Sequence, residues 1–324
     1  MTFNNPVLSS TLRVIKNAKS VSLNHKKIES LAMELSKAGV TVPDWPGREL
    51  HLVTKDIRRL LDYIIVLDSL NCCFWSENDV EKWRIDHDGM KYGGYFALAL
   101  ALKRFFEANP AKADFKYLAQ ISFGEFSDIF KGDGVIPLLK KRWEILRAVS
   151  RVVLDKYSGN SERLVLSGSH QASKFVSKMA KELPSFNDEA MYNGKKVYLW
   201  KRAQILAADI YGATRGTGVG YFEDLDYLTA FPDYKLPQIL NYWGVMEYSP
   251  GLLKKIKEKQ LIKAGSKEEV ELRSATVWAV EYLKEALAKN GRRLRSFEID
   301  WFLWSESKRV QMNRTHHLTE TIYY

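Results

Sequence analysis

Apolar residues recur at three- and four-residue spacing along most of the 324-residue chain, the period of helices that turn one face to a core. Asn24 stands as a cap ahead of Ile28, Leu31 and Leu35, and Gly39 closes that segment. Residues 42–47, VPDWPG, read as a Pro-rich loop. Residues 57–70 predict a helix. Gly93-Gly94 opens onto YFALALALKRFFEANP, a buried helix that Pro110 ends. Pro137 suits the start of a long helix whose stripe is Leu139, Trp143, Leu146, Val149 and Val153. Further helices are predicted over 162–183, over 197–211 with Leu199, Ala203, Leu206 and Ile210 on one side, and over 275–289, stopped by Gly291. Sustained period-two alternation is absent, and short pieces such as 295–300 are the candidates for extended chain. The expectation is a mainly α protein: one helical domain over 1–324, with at most a small β hairpin. Residues 1–40 form a helical extension packed on it. There is no repeat and no low-complexity linker.

Composition adds an ample core, with 46% apolar and 12% aromatic residues, which excludes a disordered chain. The 9 Trp, 16 Tyr and 15 Phe also suit the walls of a small-molecule pocket. No apolar run approaches the roughly twenty residues of a membrane span, and the first twenty residues lack the apolar stretch of a signal peptide. A soluble cytoplasmic protein without a membrane partner is expected. The only cysteines, Cys72 and Cys73, are adjacent, so neither a disulfide framework nor a zinc site is expected. The net charge of +10 suits nucleic acid, nucleotides or phosphorylated metabolites. The cations are scattered, however, and Lys140-Lys141-Arg142 and Arg292-Arg293 read as solvated helix faces and ends.

Several motifs invite chemistry. Residues 212–222, GATRGTGVGYF, begin a G-x-G at Gly216 and Gly218. Tyr221 replaces the third glycine, and the segment follows a helix rather than a strand, so a helix exit and turn is the better reading. Asp86, His87 and Asp88 in RIDHDG point in different directions, which makes a poor metal site and a good surface turn. The same holds for His316-His317. No G-x-S-x-G is present. Lys201 and Asp209 lie just over two helical turns apart, so they either border a site together or are two surface charges. Asp233, in FPDYKLPQIL, is held between Pro232 and Pro237. It either caps the helix that follows or is a carboxylate on a rigid mount for use at a site.

A set of segments in fixed order carries a more specific signal: LNCCFW (70–75), GGYFALALALKR (93–104), IPLLKKRWEILR (136–147), YLWKRAQILAADIY (198–211), FPDYKLPQIL (231–240), EEVELRSATVWAVEYL (268–283), IDWFLW (299–304) and IYY (322–324). From about residue 40 onward the chain resembles the queuosine salvage protein family. The resemblance implies a nearly all-helical fold, similar to helical DNA-repair glycosylases. It also implies hydrolysis of the N-glycosidic bond of queuosine 5′-monophosphate to queuine and ribose 5-phosphate, with no metal and no cofactor.

The family's F-A-D-Y-R matches Phe231-Pro232-Asp233-Tyr234-Lys235. Asp233 is thereby implied as the carboxylate at the reacting sugar, either as nucleophile or as electrostatic stabiliser, with Phe231 packing on base or sugar. The family's D-Y-Y-L-W matches Asp300 and Trp301, implied to accept from the guanine-like edge and to stack on the ring. Ser305 stands where the family often has Asp, which removes a polar contact to the base substituent. His51 falls near a family pocket histidine, and Lys201 is the candidate for the sugar phosphate or for holding Asp233 ionised. A 7-deaza base has no N7 to protonate, and the residues name no general acid. Two other readings remain: a nucleic-acid binding or base-repair module, suggested by the charge, and a queuine carrier without turnover. The expected partner is the nucleotide alone, with no stable nucleic-acid complex and a monomeric protein.

Overall fold

Short polar side chains set the helix starts, as their geometry requires. In the computed structural model, which describes residues 5–75 and 82–324, Asn5, Asn24, Asp56 and Ser266 each accept a first-turn amide. They begin the helices Pro6–Ile15, His25–Lys37, Ile57–Leu70 and Lys267–Lys289. Residues 1–4 and 76–81 lie outside the described part, so the domain expected over 1–324 is described without them. The architecture is mainly helical.

Two apolar clusters organise the chain. In the first, Ile57–Leu70 is buried along nearly its whole length and packs against Gly94–Ala108, Leu139–Tyr157 and Lys201–Thr214. In the second, Lys235–Tyr242, Lys267–Lys289 and Ser296–Arg309 pack together. The N-terminal helices Pro6–Ile15 and His25–Lys37 both lie against Lys267–Lys289. Gly212 marks a close approach between layers. A Cβ there would stand 2.9 Å from both the Asp44 carbonyl and the Trp301 ring, so only glycine lets the Lys201–Thr214 helix pass.

Several predicted boundaries shift. The segment 295–300, expected as extended, is helical within Ser296–Arg309. Its alternation has a tertiary cause: Phe297 and Trp301 serve the first cluster while Ile299 and Leu303 serve the second. A helix wedged between two cores needs apolar residues on two faces, and that mimics a strand pattern. The single helix expected over 162–183 is two, Ser161–Leu166 and Ala172–Glu182, broken where Ser169 and His170 adopt left-handed φ of 52° and 56°. The helix expected from 197 begins at Lys201, because Lys195–Tyr198 pairs as a strand. The helix expected from 275 begins at Lys267 under the Ser266 cap.

Among the described residues three two-stranded sheets occur where at most one hairpin was expected. Arg84–His87 with Met90–Gly93, and Glu189–Tyr192 with Lys195–Tyr198, are hairpins. Their turns, Asp88-Gly89 and Asn193-Gly194, have both residues at positive φ, the geometry that matches strand twist in a two-residue loop. The third sheet joins distant strands, Val21–Leu23 and Met246–Tyr248, in antiparallel register. The RIDHDG segment is thus a hairpin, as its turn reading requires. Arg142, read as part of a solvated face, is instead fully buried. Its guanidinium collects the carbonyls of Leu70, Cys72 and Cys73, and Nε donates to the Pro137 carbonyl at 2.8 Å. That anchorage orders the chain leading out of the Ile57–Leu70 helix. Cys72 and Cys73 are free thiols.

The two clusters are bridged by a buried ion pair. Arg273 of the Lys267–Lys289 helix donates from both terminal nitrogens to Asp188, at 2.9 and 2.5 Å, and Glu269 adds a second carboxylate at 3.4 Å. Arg273 and Asp188 are each 2% exposed. Removing one partner leaves an uncompensated charge in the interior, which typically costs about 3–5 kcal/mol. Asp188→Ala is therefore expected to lower unfolding free energy by about that amount in urea denaturation. A loss below about 1 kcal/mol, the range of an exposed pair, would contradict this role.

Candidate active site

A cleft of about 660 Å³ opens at the seam between the two clusters. It is lined by Phe231, Asp233, Tyr234 and Leu236 from one segment, and by Asp300, Trp301, Trp304 and Lys308 from the Ser296–Arg309 helix. Lys201, Ile205 and Asp209 come from the Lys201–Thr214 helix, and Pro46, Asn71, Phe74, Tyr95 and Tyr324 complete the wall. The strongest sequence expectations, Asp233, Lys201, Phe231, Asp300 and Trp301, meet in this one cavity.

Asp233 caps the helix that follows and also lines the cleft. Its Oδ1 accepts the amides of Lys235 at 2.7 Å and Leu236 at 3.0 Å, tying off the start of the Lys235–Tyr242 helix. Pro237 sits inside that first turn, where it needs no amide partner. None of the hydrogen bonds among the described residues engages Oδ2. The side chain is 9% exposed and faces the cleft. A carboxylate clamped by two amides cannot swing away, while its second oxygen stays available to a ligand. Arg273 reinforces this mount from behind, because its Nε donates to the Pro232 carbonyl at 3.0 Å.

Lys201 opens its helix directly after Trp200, whose φ is 47°, and its amide donates to Asp188 Oδ2 at 3.2 Å. The same ion pair therefore locates Lys201 and the Asp233 segment. Burial lowers the Lys201 pKa, and the Asp233 carboxylate is the largest influence in the other direction. Two turns on, Asp209 accepts from the Tyr95 hydroxyl at 3.3 Å. Burial pushes its pKa up to about 7. Lys201 and Asp209 thus share the cleft wall, the bordering arrangement rather than two surface charges. Asp300 Oδ2 accepts the Phe231 amide at 2.7 Å, which couples the aromatic of one wall to the acid of another. Burial raises the Asp300 pKa well above the ordinary carboxylate range. The Phe231 amide opposes that rise, and Asp233 adds to it.

Two expected residues stand elsewhere. His51 is fully buried one layer behind the wall, stacked on Trp45 at 3.8 Å. Its Nδ1 lies 3.0 Å from the Tyr63 hydroxyl, and its Nε2 lies 3.2 Å from the Pro46 carbonyl and 3.4 Å from the Tyr95 hydroxyl. Burial drops its pKa to about 3, so the ring is neutral. His51 supports Tyr95, which in turn touches Asp209. Ser305 is half-buried on the Ser296–Arg309 helix and does not line the cleft; its neighbour Trp304 does.

Sequence reasoning named no role for Asn71, Tyr95, Trp304, Lys308 or Tyr324, although all but Lys308 fall within the quoted segments. Tyr324 enters the wall with its ring beneath the Arg273 guanidinium, 4.3 Å from its centre, while its backbone oxygen accepts the Cys73 amide at 2.8 Å. Among the described residues no group of three or more His, Cys, Asp or Glu stands together as a metal-ligand set. No described helix is long and apolar enough to cross a membrane. The glycine-rich 212–222 segment is a helix exit, with Arg215 and Gly216 at positive φ, followed by a short 3₁₀ turn.

The cleft therefore offers aromatic faces, a clamped carboxylate, a buried lysine and two acids of raised pKa. That set suits a flat heterocycle with a donor edge, joined to a group that gains positive charge. Residues 50–324 match the model of a family described as queuosine salvage protein. A protein of Sphaerobacter thermophilus named queuosine 5′-phosphate N-glycosylase/hydrolase is 41% identical over 319 residues, covering 98% of this chain and 97% of that one. Proteins of the same name from mouse, 32% identical with 96% of each chain covered, and from Schizosaccharomyces pombe, 31% identical with 92% of each covered, align over nearly the same extent. The chain belongs to the queuosine salvage protein family.

Proposed function

We propose that this protein hydrolyses the N-glycosidic bond of queuosine 5′-monophosphate, releasing queuine and ribose 5-phosphate, with Asp233 at the reacting sugar carbon. The observation that carries the proposal is the placement of Asp233: clamped through one oxygen, open through the other, and flanked by Phe231 and Trp301 in a cleft of about 660 Å³. Glycosidic cleavage builds positive charge on C1′ and the ring oxygen. An anion about 4 Å away at an effective dielectric near 20 is worth on the order of 4 kcal/mol. Expressed only in the transition state, that is about a thousandfold in rate. The clamp holds the anion in position before the charge appears, so little reorganisation accompanies the reaction.

Trp301 and Phe231 supply faces for the deazapurine, a contact typically worth about 1–3 kcal/mol per base. Asp300 takes the guanine-like edge, where N1–H and the 2-amino group are both donors. Its raised pKa in the free protein reflects burial beside Asp233 and Asp209, and two arriving donors favour the anion. The Lys201 charge favours the ionised forms of Asp209 and Asp300, and Asp233 in turn favours the charge on Lys201. His51 serves the site through Tyr95 rather than by direct contact.

Asp233→Ala is expected to lower queuine release from queuosine 5′-monophosphate by about a thousandfold, read by chromatography of the released base. Undiminished release, or none from the wild type, would refute the proposal. Asp300→Asn keeps an acceptor for the Phe231 amide but turns one acceptor position into a donor facing N1–H or the amino group. A mispaired polar edge costs about 1–3 kcal/mol, so kcat/KM is expected to fall about ten- to hundredfold with the melting temperature little changed. An unaltered kcat/KM would remove Asp300 from base recognition.

A further inference from the structure

A run of buried hydrogen-bonding groups ends on the cleft at Asp209. The Tyr63 hydroxyl lies 3.2 Å from the Ala99 carbonyl and 3.0 Å from His51 Nδ1. His51 Nε2 lies 3.2 Å from the Pro46 carbonyl and 3.4 Å from the Tyr95 hydroxyl, which stands 3.3 Å from Asp209 Oδ2. Tyr63 and His51 are fully buried, and Asp209 lines the cleft. Burial keeps the imidazole neutral and both phenols protonated. A neutral imidazole has one N–H and one bare nitrogen, so the run can be ordered in two senses. With Nε2 protonated, the ring donates to Pro46, Tyr63 donates to Nδ1, and Tyr95 donates to an ionised Asp209. With Nδ1 protonated, Tyr63 donates to Ala99, the ring donates to Tyr63, and bare Nε2 accepts from Tyr95, so Asp209 holds its own proton. Each order gives every N–H and O–H of the run an acceptor.

The charges that act on Asp209 favour the second order. Burial pushes its pKa up to about 7, against the Trp45 and Tyr95 donors and the Lys201 cation, which favour the anion. Asp68 is fully buried, and neither of its oxygens accepts a hydrogen bond among the described residues. Its ionisation and that of Asp209 oppose each other, and Asp300 also feels the Asp209 charge. Asp233, by contrast, accepts two backbone amides. Two carboxyls of one cleft thus stand in different surroundings, the arrangement that separates an acid from a carboxylate that acts as an anion.

We propose that Asp209 is the general acid of the reaction and passes its proton to carbonyl O6 of the deazapurine as the C1′–N9 bond breaks. The proposal rests on the function set out above and supplies the proton donor that a base without N7 requires. The electron pair of the C1′–N9 bond leaves with the base, in which N9 is conjugated through C4 and C5 to O6. With the Asp209 proton on O6, the base departs as a neutral 6-hydroxy tautomer rather than as an anion. Water supplies both the oxygen that joins C1′ and the proton that restores Asp209. O6 adjoins N1–H on the ring, so an acid that shares the cleft with Asp300 completes the edge assigned to Asp300. As the proton leaves, the Tyr95 hydroxyl turns from His51 Nε2 to Asp209 Oδ2 and gives the new carboxylate a donor. Tyr95 and His51 are positioning residues in this step.

The decisive measurement is kcat/KM across pH for queuosine 5′-monophosphate and for 4-nitrophenyl β-ribofuranoside 5-phosphate, whose nitrophenolate leaves without a proton. For the nucleotide, the wild-type constant is expected to fall as pH rises past about 7, where Asp209 gives up its proton. Asp209→Asn keeps an acceptor for Tyr95. It is expected to lose about a hundredfold on the nucleotide, within the range of a general acid, to lose the alkaline fall, and to leave the nitrophenyl reaction little changed. Asp233→Ala is expected to lose both reactions. Tyr95→Phe removes a donor that favours the Asp209 anion, so its alkaline fall is expected at higher pH. Undiminished nucleotide turnover in Asp209→Asn, an equal loss on both substrates, or an alkaline fall kept by that variant overturns the acid and leaves the proposed reaction standing. No cleavage of the nucleotide by the wild type refutes the reaction, and the acid with it. Should the wild type not accept the nitrophenyl substrate, the alkaline fall decides.

Discussion

The buried pair of Arg273 and Asp188 is the contact on which the cleft depends. Through Asp188 it fixes the first residues of the Lys201–Thr214 helix: the Asp188 carbonyl accepts the amides of Leu199 and Trp200, and its carboxylate accepts that of Lys201. Through Arg273 it fixes the Pro232 carbonyl, one residue from Asp233, and the ring of Tyr324. Three walls of the site are thus referenced to one guanidinium–carboxylate fork. Such a pair gains little stability over a well-packed apolar substitute, because desolvating two charges offsets their attraction. What it supplies is geometry: a planar bidentate fork tolerates little rotation. A site that needs a lysine and a carboxylate at a set separation benefits from that stiffness more than from extra burial.

A second layer of buried polar contacts serves the same end. Arg142 gathers the carbonyls beyond the Ile57–Leu70 helix and thereby sets Asn71 and Phe74 in the wall. His51, kept neutral by burial, holds Tyr95, which holds Asp209. Arg142 and His51 do not line the cleft. They occupy positions where an apolar core would leave backbone carbonyls or a hydroxyl unsatisfied, which is costly in a dry interior. The acids of the cleft consequently have pKa values raised by burial, to which the charge of Asp233 adds at Asp300. A carboxyl in that state responds strongly to an incoming donor or cation, whereas Asp233 is held in position by two amides.

The ordered segments shared with the family carried five residues that converge on the cleft: Asp233, Phe231, Lys201, Asp300 and Trp301. They did not distinguish a residue in the wall from one behind it. His51 and Tyr95 both lie in or near family segments, yet only Tyr95 touches the cleft. Ser305 was expected to face the base, but a helix turns about 100° per residue, so its neighbour Trp304 reaches the wall while Ser305 does not. The dipeptides Asp88-Gly89 and Asn193-Gly194 were legible hairpin turns that the dominant helical period obscured.

Interactions within one helical turn or one tight turn reach only to the next few residues, and those were readable from the chain alone: the caps at Asn24 and Asp56, the apolar stripes, the rigid prolines around Asp233. Whatever depended on residues far apart in sequence was settled by packing. Ile299 and Trp301 look like alternate positions of a strand until two separate cores claim the two faces of one helix. Arg142 looks like a surface cation until the carbonyls it binds are brought to it. Asp233 looks equally like a cap or a functional carboxylate, because the amides of Lys235 and Leu236 are local, whereas Lys201 and Asp300 reach it only when the clusters close. Local chemistry is additive along the chain; the electrostatics of a cleft come from groups that only the folded backbone makes neighbours.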